Sequence, residues 1–522
     1  MASPTRAQRT GERHLLLSDR VRTFSHRGRD YVHTSGVPLA YLSASPGLLD
    51  TLRGFATPRR PADAVDAPLT GADGAFVAAL VRAGVLVDTE NPDPIHGFRG
   101  ITDATRTLYL YPTNSCNLRC VYCYATSGPG AGPRLSVEHA TMAVEDFFTT
   151  LDGSVRAVTL KFHGGGEPTT NFAVMESSWL LFRERARERG LRSSVTTITN
   201  GTFGPQVLRA LSEPEWGISI SYDGPRQAAQ RPTAADGDSR DRVVANLRAL
   251  ASAGKRVSTR ATLTRDGLPF MRALVDDAAE VGIAQVQVEP SSIVGRGATL
   301  DDGPPDPIDF AEAYLDAFGH ALENGVALTT SAWTHLRVGD GRYCGAITGS
   351  RALTPDGFVS ACTEACDGSA PDDPFIVGRL DTVGKRLEIW PVRESALQSR
   401  VGYALPHCST CYLVDTCAGG CASKARADTG NALDRDEAHC VMSRLINPVM
   451  IADLADGRLL PDEGWQPFEA TSGGTGSALP EGRLVGMVPR FARARWNADP
   501  ARRPFLPVDP AAPMFVHLPD RS

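Results

Sequence analysis

Residues 116–123 read Cys-Asn-Leu-Arg-Cys-Val-Tyr-Cys and place three cysteines, Cys116, Cys120 and Cys123, within one short loop. Three thiolates at this spacing can hold three corners of a cubic [4Fe–4S] cluster, whereas an electron-transfer cluster is normally held by four cysteines. The fourth iron would keep an open position, which is where a substrate or cofactor binds at a catalytic metal centre. A structural zinc knuckle or disulfide pairing is the alternative explanation.

The segments that follow this loop alternate between strand and helix patterns. Candidate strands are Leu108–Tyr111, Val158–His163, Val195–Thr199, Ile218–Tyr222, Ser258–Thr264 and Gln285–Glu289. Helical stretches lie between them, and one begins at Ser136. Six such units predict parallel strands covered by helices, in the α/β class. A barrel of this kind places function on the loops at the carboxyl ends of its strands, and the cysteine loop follows the first strand.

Small residues follow the later strands. The second strand leads into His163-Gly164-Gly165-Gly166-Glu167-Pro168, where glycines let the backbone approach a ligand closely. A glycine run alone is usually only a turn. Asn200 follows the third strand, and Ser221 lies near the end of the fourth on the same face as Ser219. The alternative for these polar residues is packing in the barrel interior.

The cysteine loop, with Tyr122 just before its last cysteine, and the glycine run together resemble the radical S-adenosylmethionine (SAM) superfamily. The resemblance implies a partial (βα)6 TIM-like barrel in which Cys116, Cys120 and Cys123 hold a SAM-binding [4Fe–4S] cluster that generates a 5′-deoxyadenosyl radical. It also implies that SAM is bound by Tyr122, Gly164, Gly165, Gly166, Glu167, Asn200 and Ser221. Tyr122 would lie near the adenine, although packing beneath the loop would equally explain an aromatic residue there.

Eight further cysteines follow the barrel. They are Cys344, Cys362, Cys366, Cys408, Cys411, Cys417, Cys421 and Cys440. Eight thiolates would complete two four-cysteine clusters, although paired Cys-x2-Cys spacings also suit zinc. The spacing, with the segment Cys417-Ala-Gly-Gly-Cys421, resembles the cysteine-rich SPASM domain of peptide-modifying radical SAM enzymes. That resemblance implies an outer cluster on Cys408, Cys411, Cys417 and Cys440. It implies an inner cluster on Cys344, Cys362 and Cys421, with Cys366 as the fourth ligand, and three [4Fe–4S] clusters in all.

The first hundred residues form a separate pattern. Two short strands flank a turn at Gly28, Ser45-Pro46 begins a helix, and Thr70 with Asp73 predicts a capping box before another helix. This winged-helix-like α+β module resembles the leader-peptide recognition element of enzymes that mature ribosomally made peptides. A generic small cap would show the same pattern. We therefore expect a recognition module over 1–105, a radical SAM core over 106–335, a SPASM domain over 336–445 and an extension of unknown role over 446–522.

Composition and charge indicate the compartment and the partners to expect. A formal charge of −6 over 522 residues offers no basic surface for nucleic acid. Clustered cysteines in a chain of this size indicate metal binding in a reducing cytosol. The N-terminus lacks the apolar core of a signal peptide, and no apolar window is long enough for a membrane span. We expect a cytoplasmic protein without nucleic-acid or membrane partners.

These observations favour a maturase that oxidatively crosslinks a ribosomally synthesised precursor peptide, through a thioether, carbon–carbon or related bond. A reductant such as flavodoxin or ferredoxin would supply electrons. One alternative is an anaerobic sulfatase maturase, in which an Asp usually follows the second inner-cluster cysteine; Thr363 stands there, with Glu364 next as a candidate base. Another is a non-catalytic iron–sulfur adaptor that binds the peptide or relays electrons.

Overall fold

The alternating strands and helices build one large, mostly parallel sheet in the computed structural model. The structure describes residues 13–34, 39–90, 105–130, 132–235, 237–301, 303–334, 341–370, 372–461, 468–475, 477–487 and 494–496. The expected boundary between the second and third parts, at 335/336, lies outside these residues.

Seven parallel strands form the barrel part of this sheet. They are Thr105–Leu110, Ala157–Phe162, Arg192–Thr199, Trp216–Ser221, Ser258–Leu263, Gln285–Pro290 and Ala327–Thr329. The main helices around them are Val137–Thr149, Phe172–Glu188, Pro205–Ser212, Arg240–Ser252, Met271–Val281 and Pro307–Glu323. Neighbours in the sheet follow chain order, so the six predicted strands and the α/β class are confirmed.

Alternation within each strand explains which face meets the helices. Leu108 and Leu110 in the first strand are buried, as are Val158, Leu160 and Phe162 in the second. The residues between them point to the opposite face of the sheet, because side chains alternate along a strand. That opposite face lines the barrel interior and carries the polar residues described below.

Among the described strands, the first and the seventh are not paired with each other, so the barrel stays open. On its open side the first strand pairs with Ala352–Leu353, and the sheet continues through Phe358–Ser360, Ile376–Asp381 and Arg386–Ile389. The cysteine-rich part is therefore continuous with the barrel sheet. Its helices are Pro391–Gln398, Ala422–Thr429 and Glu437–Ala455, and the last of them crosses the expected boundary at residue 445.

The N-terminal part contains the predicted hairpin and helices. Its strands are Leu15–Leu17, Val21–His26, Arg29–Thr34, Leu39–Ala44 and Leu86–Asp88, and its helices are Pro46–Arg53 and Gly71–Arg82. Ser45 caps the first helix, and the Thr70–Asp73 capping box at the second is confirmed.

Two strands from the C-terminal extension join this N-terminal sheet. Gly482–Met487 pairs antiparallel with Leu39–Ala44, and Phe468–Ser472 pairs with Gly482–Met487. Leu484 is fully buried in the same apolar core as Leu42 and Leu48. These two strands of the extension are therefore part of the N-terminal sheet. A second pairing joins Leu459–Pro461 to Ala494–Trp496.

No helix within the part of the chain that the structure describes is both long and apolar enough to cross a membrane.

Candidate active site

The three loop cysteines lie at the carboxyl end of the first barrel strand, and each is half-buried. Cys116 Sγ accepts from the Leu118 backbone N–H at 3.5 Å and lies 3.9 Å from the Asn200 amide nitrogen. Burial, followed by the negative charge of Glu167, raises the pKa of Cys116 to about 12. Thiolate is the form that binds metal, so a bound cation would have to offset this penalty.

Arg296, which the sequence analysis did not single out, supports the cysteine loop from the other side of the barrel. Its Nε donates to the Cys120 carbonyl at 2.9 Å, and its Nη1 donates to the Ser127 carbonyl at 2.8 Å. Gly295 beside it has φ +58°, and a Cβ there would overlap the Cys123 and Tyr124 carbonyls. The Gly-Arg-Gly run after the sixth strand was the available sequence signal.

The glycine run packs directly against the start of the cysteine loop. A Cβ on Gly165 would lie 2.9 Å from both Asn114 Oδ1 and Cys366 Cβ, and one on Gly166 would overlap the Ser115 carbonyl. Gly166 N–H donates to the Thr113 carbonyl at 3.1 Å. Close approach is thus required at these glycines, and the partner seen in the structure is the cysteine loop.

Glu167 joins the ends of the second and third strands. Its buried carboxylate accepts from Thr199 Oγ1 at 2.6 Å, from the Asn200 N–H at 2.7 Å and from both the hydroxyl and the N–H of Thr169. Burial raises the pKa of Glu167 and these hydrogen bonds oppose the increase. The side chain is thus already occupied by protein donors.

Asn200 connects the Glu167 hydrogen-bond network to the cysteine loop. Its Nδ2 donates to Asn117 Oδ1 at 2.8 Å, and its Oδ1 accepts from the hydroxyl and the N–H of Thr202. The predicted cofactor residues Glu167 and Asn200 therefore lie next to the cysteine loop.

Tyr122 lies in a buried polar network at the end of the fourth strand. Its hydroxyl donates to Asp223, whose carboxylate also pairs with Arg231 at 2.9 Å. The Arg231 guanidinium lies 5.2 Å from the centre of the Tyr122 ring. These contacts are what the alternative explanation for Tyr122, packing beneath the cysteine loop, would produce. Asp223 and Arg231 were not singled out, because neither belongs to a spaced motif.

Ser221 lies on the interior face of the barrel. It is in register with Arg260, which is in register with Gln287, and register partners in parallel strands share one face of a sheet. Ser221 is half-buried. It is therefore on the side of the sheet that encloses the central cavity.

The central cavity has a volume of about 310 Å³ and extends from the barrel interior to the cysteine-rich part. Arg260, Gln287 and Glu289 line it from the barrel, and Lys424 lines it from the Ala422–Thr429 helix. Three thiols and a carboxylate also line it: Cys344, Cys362, Cys421 and Glu364. The barrel interior and this cysteine group thus share one space.

Both signs of charge meet in the central cavity. Glu289 accepts from the Ser331 N–H at 2.8 Å and from Gln287 Nε2 at 2.7 Å. Burial would raise the pKa of Glu289, but Arg260 and Lys424 hold it below its usual range. Burial would lower the pKa of Lys424, but nearby carboxylates hold it above its usual range. The cavity is suited to a polar ligand.

A second, smaller cavity of about 30 Å³ is lined by four other cysteines: Cys408, Cys411, Cys417 and Cys440. Burial, then the charges of Cys440 and Cys411, raises the pKa of Cys417 to about 12. The structure thus brings together the four cysteines expected for an outer cluster. Within the described residues, no three His, Cys, Asp or Glu side chains form a single-ion metal site.

Arg400 shapes the turn between the two cysteine groups. Its buried guanidinium donates to the carbonyls of Gly419 at 2.8 Å, Gly420 at 2.9 Å and Asp434 at 2.7 Å. Ala418, Gly419 and Gly420 all have positive φ, and the Gly419 carbonyl also accepts from the Asp436 backbone N–H at 2.9 Å. No motif or periodicity around Arg400 indicates this role.

Cys366 lies apart from the other three cysteines expected for the inner cluster. It does not line the central cavity; its Cβ faces Gly165, and its carbonyl accepts from Asn114 Nδ2 at 3.1 Å. Burial, then the charges of Asp367 and Cys123, raises the pKa of Cys366. Cys366 is thus close to the cysteine loop of the barrel.

Residues 110–270 match the Radical SAM superfamily. This stretch includes the cysteine loop, the glycine run and the Asn200 and Ser221 segments, so the resemblance drawn from these motifs is confirmed.

Curated relatives extend beyond this stretch. Mycofactocin maturase MftC of Mycolicibacterium smegmatis is 28% identical over 364 residues, covering 67% of this chain and 86% of the relative. The radical SAM cyclopropyl synthase TigE of Paramaledivibacter caminithermalis is 22% identical over 369 residues, covering 65% and 73%. The solved structure of native anSMEcpe with bound AdoMet has a TM-score of 0.53 at 18% identity, covering 67% of this chain and 99% of that one. It shows the same fold.

Proposed function

This chain is a radical SAM enzyme, and from that premise we propose that it oxidatively modifies a ribosomally synthesised precursor peptide. The observation that carries the proposal is the shared cavity: the barrel interior meets a further group of cysteines. Its curated relatives bear the names of a maturase and a cyclopropyl synthase. An oxidative reaction in the barrel needs a nearby electron acceptor, and a cysteine-held cluster is one.

We propose Cys116, Cys120 and Cys123 as ligands of the SAM-binding [4Fe–4S] cluster. The donor set fits, because three half-buried thiols lie in one loop beside the glycine run. When bound, SAM on such a cluster supplies a 5′-deoxyadenosyl radical that abstracts a hydrogen atom from the substrate. We propose that Gly164, Gly165, Gly166 and Ser221 help to position SAM, and that Tyr122, Glu167 and Asn200 hold the loops around it.

The protein itself would position the substrate and exclude water from the cavity. Arg296 and Arg231 fix the cysteine loop, and Arg260 and Lys424 offer positive charge inside the cavity. A polar peptide group held there would be fixed relative to the reacting hydrogen. Enclosure also protects a reactive intermediate from side reactions.

We further propose two auxiliary [4Fe–4S] clusters, giving three in all. Cys408, Cys411, Cys417 and Cys440 would hold the outer one, supported by their common cavity. Cys344, Cys362 and Cys421 would hold the inner one beside the barrel interior. A reductant such as flavodoxin or ferredoxin would serve them, and the reducing cytoplasm suits eleven unpaired thiols.

The peptide is proposed to dock by adding a strand to the N-terminal sheet. That sheet has the strand order Phe468–Ser472, Gly482–Met487, Leu39–Ala44, Arg29–Thr34 and Val21–His26. The other edge strand, Phe468–Ser472, packs against the Gly71–Arg82 helix, so we assign docking to the Val21–His26 edge. Among the described strands, only Arg29–Thr34 pairs with it.

The test is an anaerobic assay with SAM, dithionite and a precursor peptide encoded beside the gene. We expect 5′-deoxyadenosine release and a peptide mass lower by two hydrogens for each new bond. Replacing Cys116, Cys120 and Cys123 together by Ala should abolish both while the auxiliary iron and sulfide remain. Release of 5′-deoxyadenosine by this triple variant would refute the ligand assignment. If wild-type protein with all its clusters releases no 5′-deoxyadenosine, an adaptor role is favoured instead.

A further inference from the structure

The inner cysteine group is one ligand short. Cys344, Cys362 and Cys421 line the central cavity, and a buried electron-transfer cluster normally has four protein ligands. The question of the fourth ligand rests on the proposed inner cluster. Among the described residues that line the cavity, no fourth cysteine is present.

Cys366 is turned away from this cavity. Its Sγ lies 3.3 Å from the Thr363 carbonyl and 3.6 Å from the Glu364 carbonyl, as a donor to backbone oxygens. Its Cβ packs at the position where a Gly165 Cβ would clash. Its thiol is thus directed at the backbone of residues 363 and 364 and not into the cavity.

Glu364, unlike Cys366, lies beside the three thiols in the central cavity. Its side chain lines the cavity with the three thiols, and its Oε2 is buried without a hydrogen-bond partner among the described residues. Its backbone N–H donates to Cys362 Sγ at 3.5 Å. A buried carboxylate oxygen left without a donor is costly, so such an atom indicates a missing ligand.

The charges around Glu364 are compatible with a cluster. Its carboxylate is close enough to Cys344, Cys362 and Cys421 to act electrostatically on each thiol. Lys424 lines the same cavity, and the Glu364 carboxylate is one of the charges that raise the pKa of Lys424. Three thiolates and one carboxylate would face this cation, which would offset part of their negative charge.

We propose that the Glu364 carboxylate, and not the Cys366 thiol, is the fourth iron ligand of the inner cluster. Iron accepts carboxylate ligands in other protein sites. Glutamate has a longer side chain than cysteine and can reach an iron from two residues beyond Cys362. Glu364 would then be a metal ligand and not the general base considered from the sequence.

The experiment uses the full chain with Cys116, Cys120 and Cys123 replaced by Ala, so that only auxiliary clusters contribute. Glu364→Gln, Glu364→Cys and Cys366→Ser are added singly and reconstituted anaerobically with iron and sulfide. Iron content, Mössbauer spectra and electron paramagnetic resonance after mild oxidation are measured. We expect Glu364→Gln to lose one iron per chain and show a [3Fe–4S] signal, while Glu364→Cys and Cys366→Ser keep the parent iron content.

Asp367→Asn is the matched control, because this neighbouring acid bonds to Ser369 and does not line the cavity. The proposal is overturned if Glu364→Gln keeps the parent spectrum, or if Cys366→Ser is the variant that loses an iron. A folding defect in Glu364→Gln would be recognised by loss of the outer cluster, and Glu364→Cys then decides. If Cys362→Ala, which removes a thiol without supplying another donor atom, leaves iron content unchanged, the inner cluster itself is absent, and the auxiliary-cluster proposal fails instead.

Discussion

Glu167 shows how one side chain can organise the candidate SAM site through hydrogen bonds from protein donors. Glu167 follows the second strand, and Thr199 and Asn200 at the end of the third strand donate to its carboxylate. Asn200 in turn contacts the cysteine loop. Removing one acceptor oxygen should therefore disturb the loop as well as the strands.

We expect Glu167→Gln to lower the free energy of unfolding by about 1–3 kcal/mol, because an amide NH₂ would face a buried donor. SAM affinity should fall with it. Chemical denaturation and calorimetric SAM titration measure the two effects. The exposed Glu176→Gln on the following helix is the control, and equal behaviour of the two variants would contradict the bracing role.

The cysteines and glycines were predictable because their chemistry is carried by local spacing. Arg296 and Arg400 were not, because their function is to donate to carbonyls distant in sequence. Arg296 and Cys120 are 176 positions apart. No periodicity marks such a residue, and only the folded chain identifies its acceptors.

At the scale of elements, the hairpin Val21–Thr34 offers a defined free edge. Arg27 and Gly28 form its two-residue turn with positive φ, and His26 is paired with Arg29 across it. Hydrogen bonding then alternates along an antiparallel strand, which directs the Thr23 N–H away from the hairpin. This N–H is available to an added strand.

Thr23→Pro should therefore weaken binding of the precursor peptide while the sheet stays folded, since proline is tolerated at a sheet edge. Peptide affinity measured by fluorescence anisotropy should fall at least tenfold, with uncoupled 5′-deoxyadenosine release unchanged. Thr23→Ala keeps the N–H and serves as the control. Unaltered affinity of the proline variant would exclude this edge as the docking site.

The barrel strands could be predicted because each has buried residues in alternation between turn signals. The strand Gly482–Met487 could not, because it lies in a segment rich in Gly and Pro and its partner is Leu39–Ala44 at the other end of the chain. Pairing across such a separation leaves no trace in local pattern. For the same reason, the expected division into four parts placed Gly482–Met487 and Leu39–Ala44 in separate parts of the chain.

For the molecule as a whole, the N-terminal sheet rests on the loop that carries the outer cysteines. The Phe24 and Tyr412 rings stack with centroids 5.0 Å apart, and Arg22 pairs with Asp415 at 3.3 Å. His33 Nε2 donates to the Tyr412 carbonyl at 2.9 Å. Tyr412 follows Cys411 directly, so the proposed docking sheet and the proposed outer cluster site share a contact surface.

This surface should loosen in acid. Burial lowers the pKa of His33 from 6.5 to about 4, so the unfolded chain binds more protons than the folded chain between these values. Stability is present above pH 6.5 and is lost as pH falls toward 4. From pH 7 to pH 5 the loss attributable to His33 is about 2 kcal/mol.

His33→Gln should remove that part of the pH dependence. Hydrogen exchange of the Val21–Thr34 amides, corrected for intrinsic rates, measures the local opening free energy at pH 7 and pH 5. We expect the difference between these pH values to shrink by about 2 kcal/mol in His33→Gln and to persist in the exposed His14→Gln. Some dependence should remain, because burial also lowers the pKa of His26 to about 4 in the same hairpin. An unchanged difference in His33→Gln would mean that the histidine stays neutral in both states or that the sheet does not open at this contact.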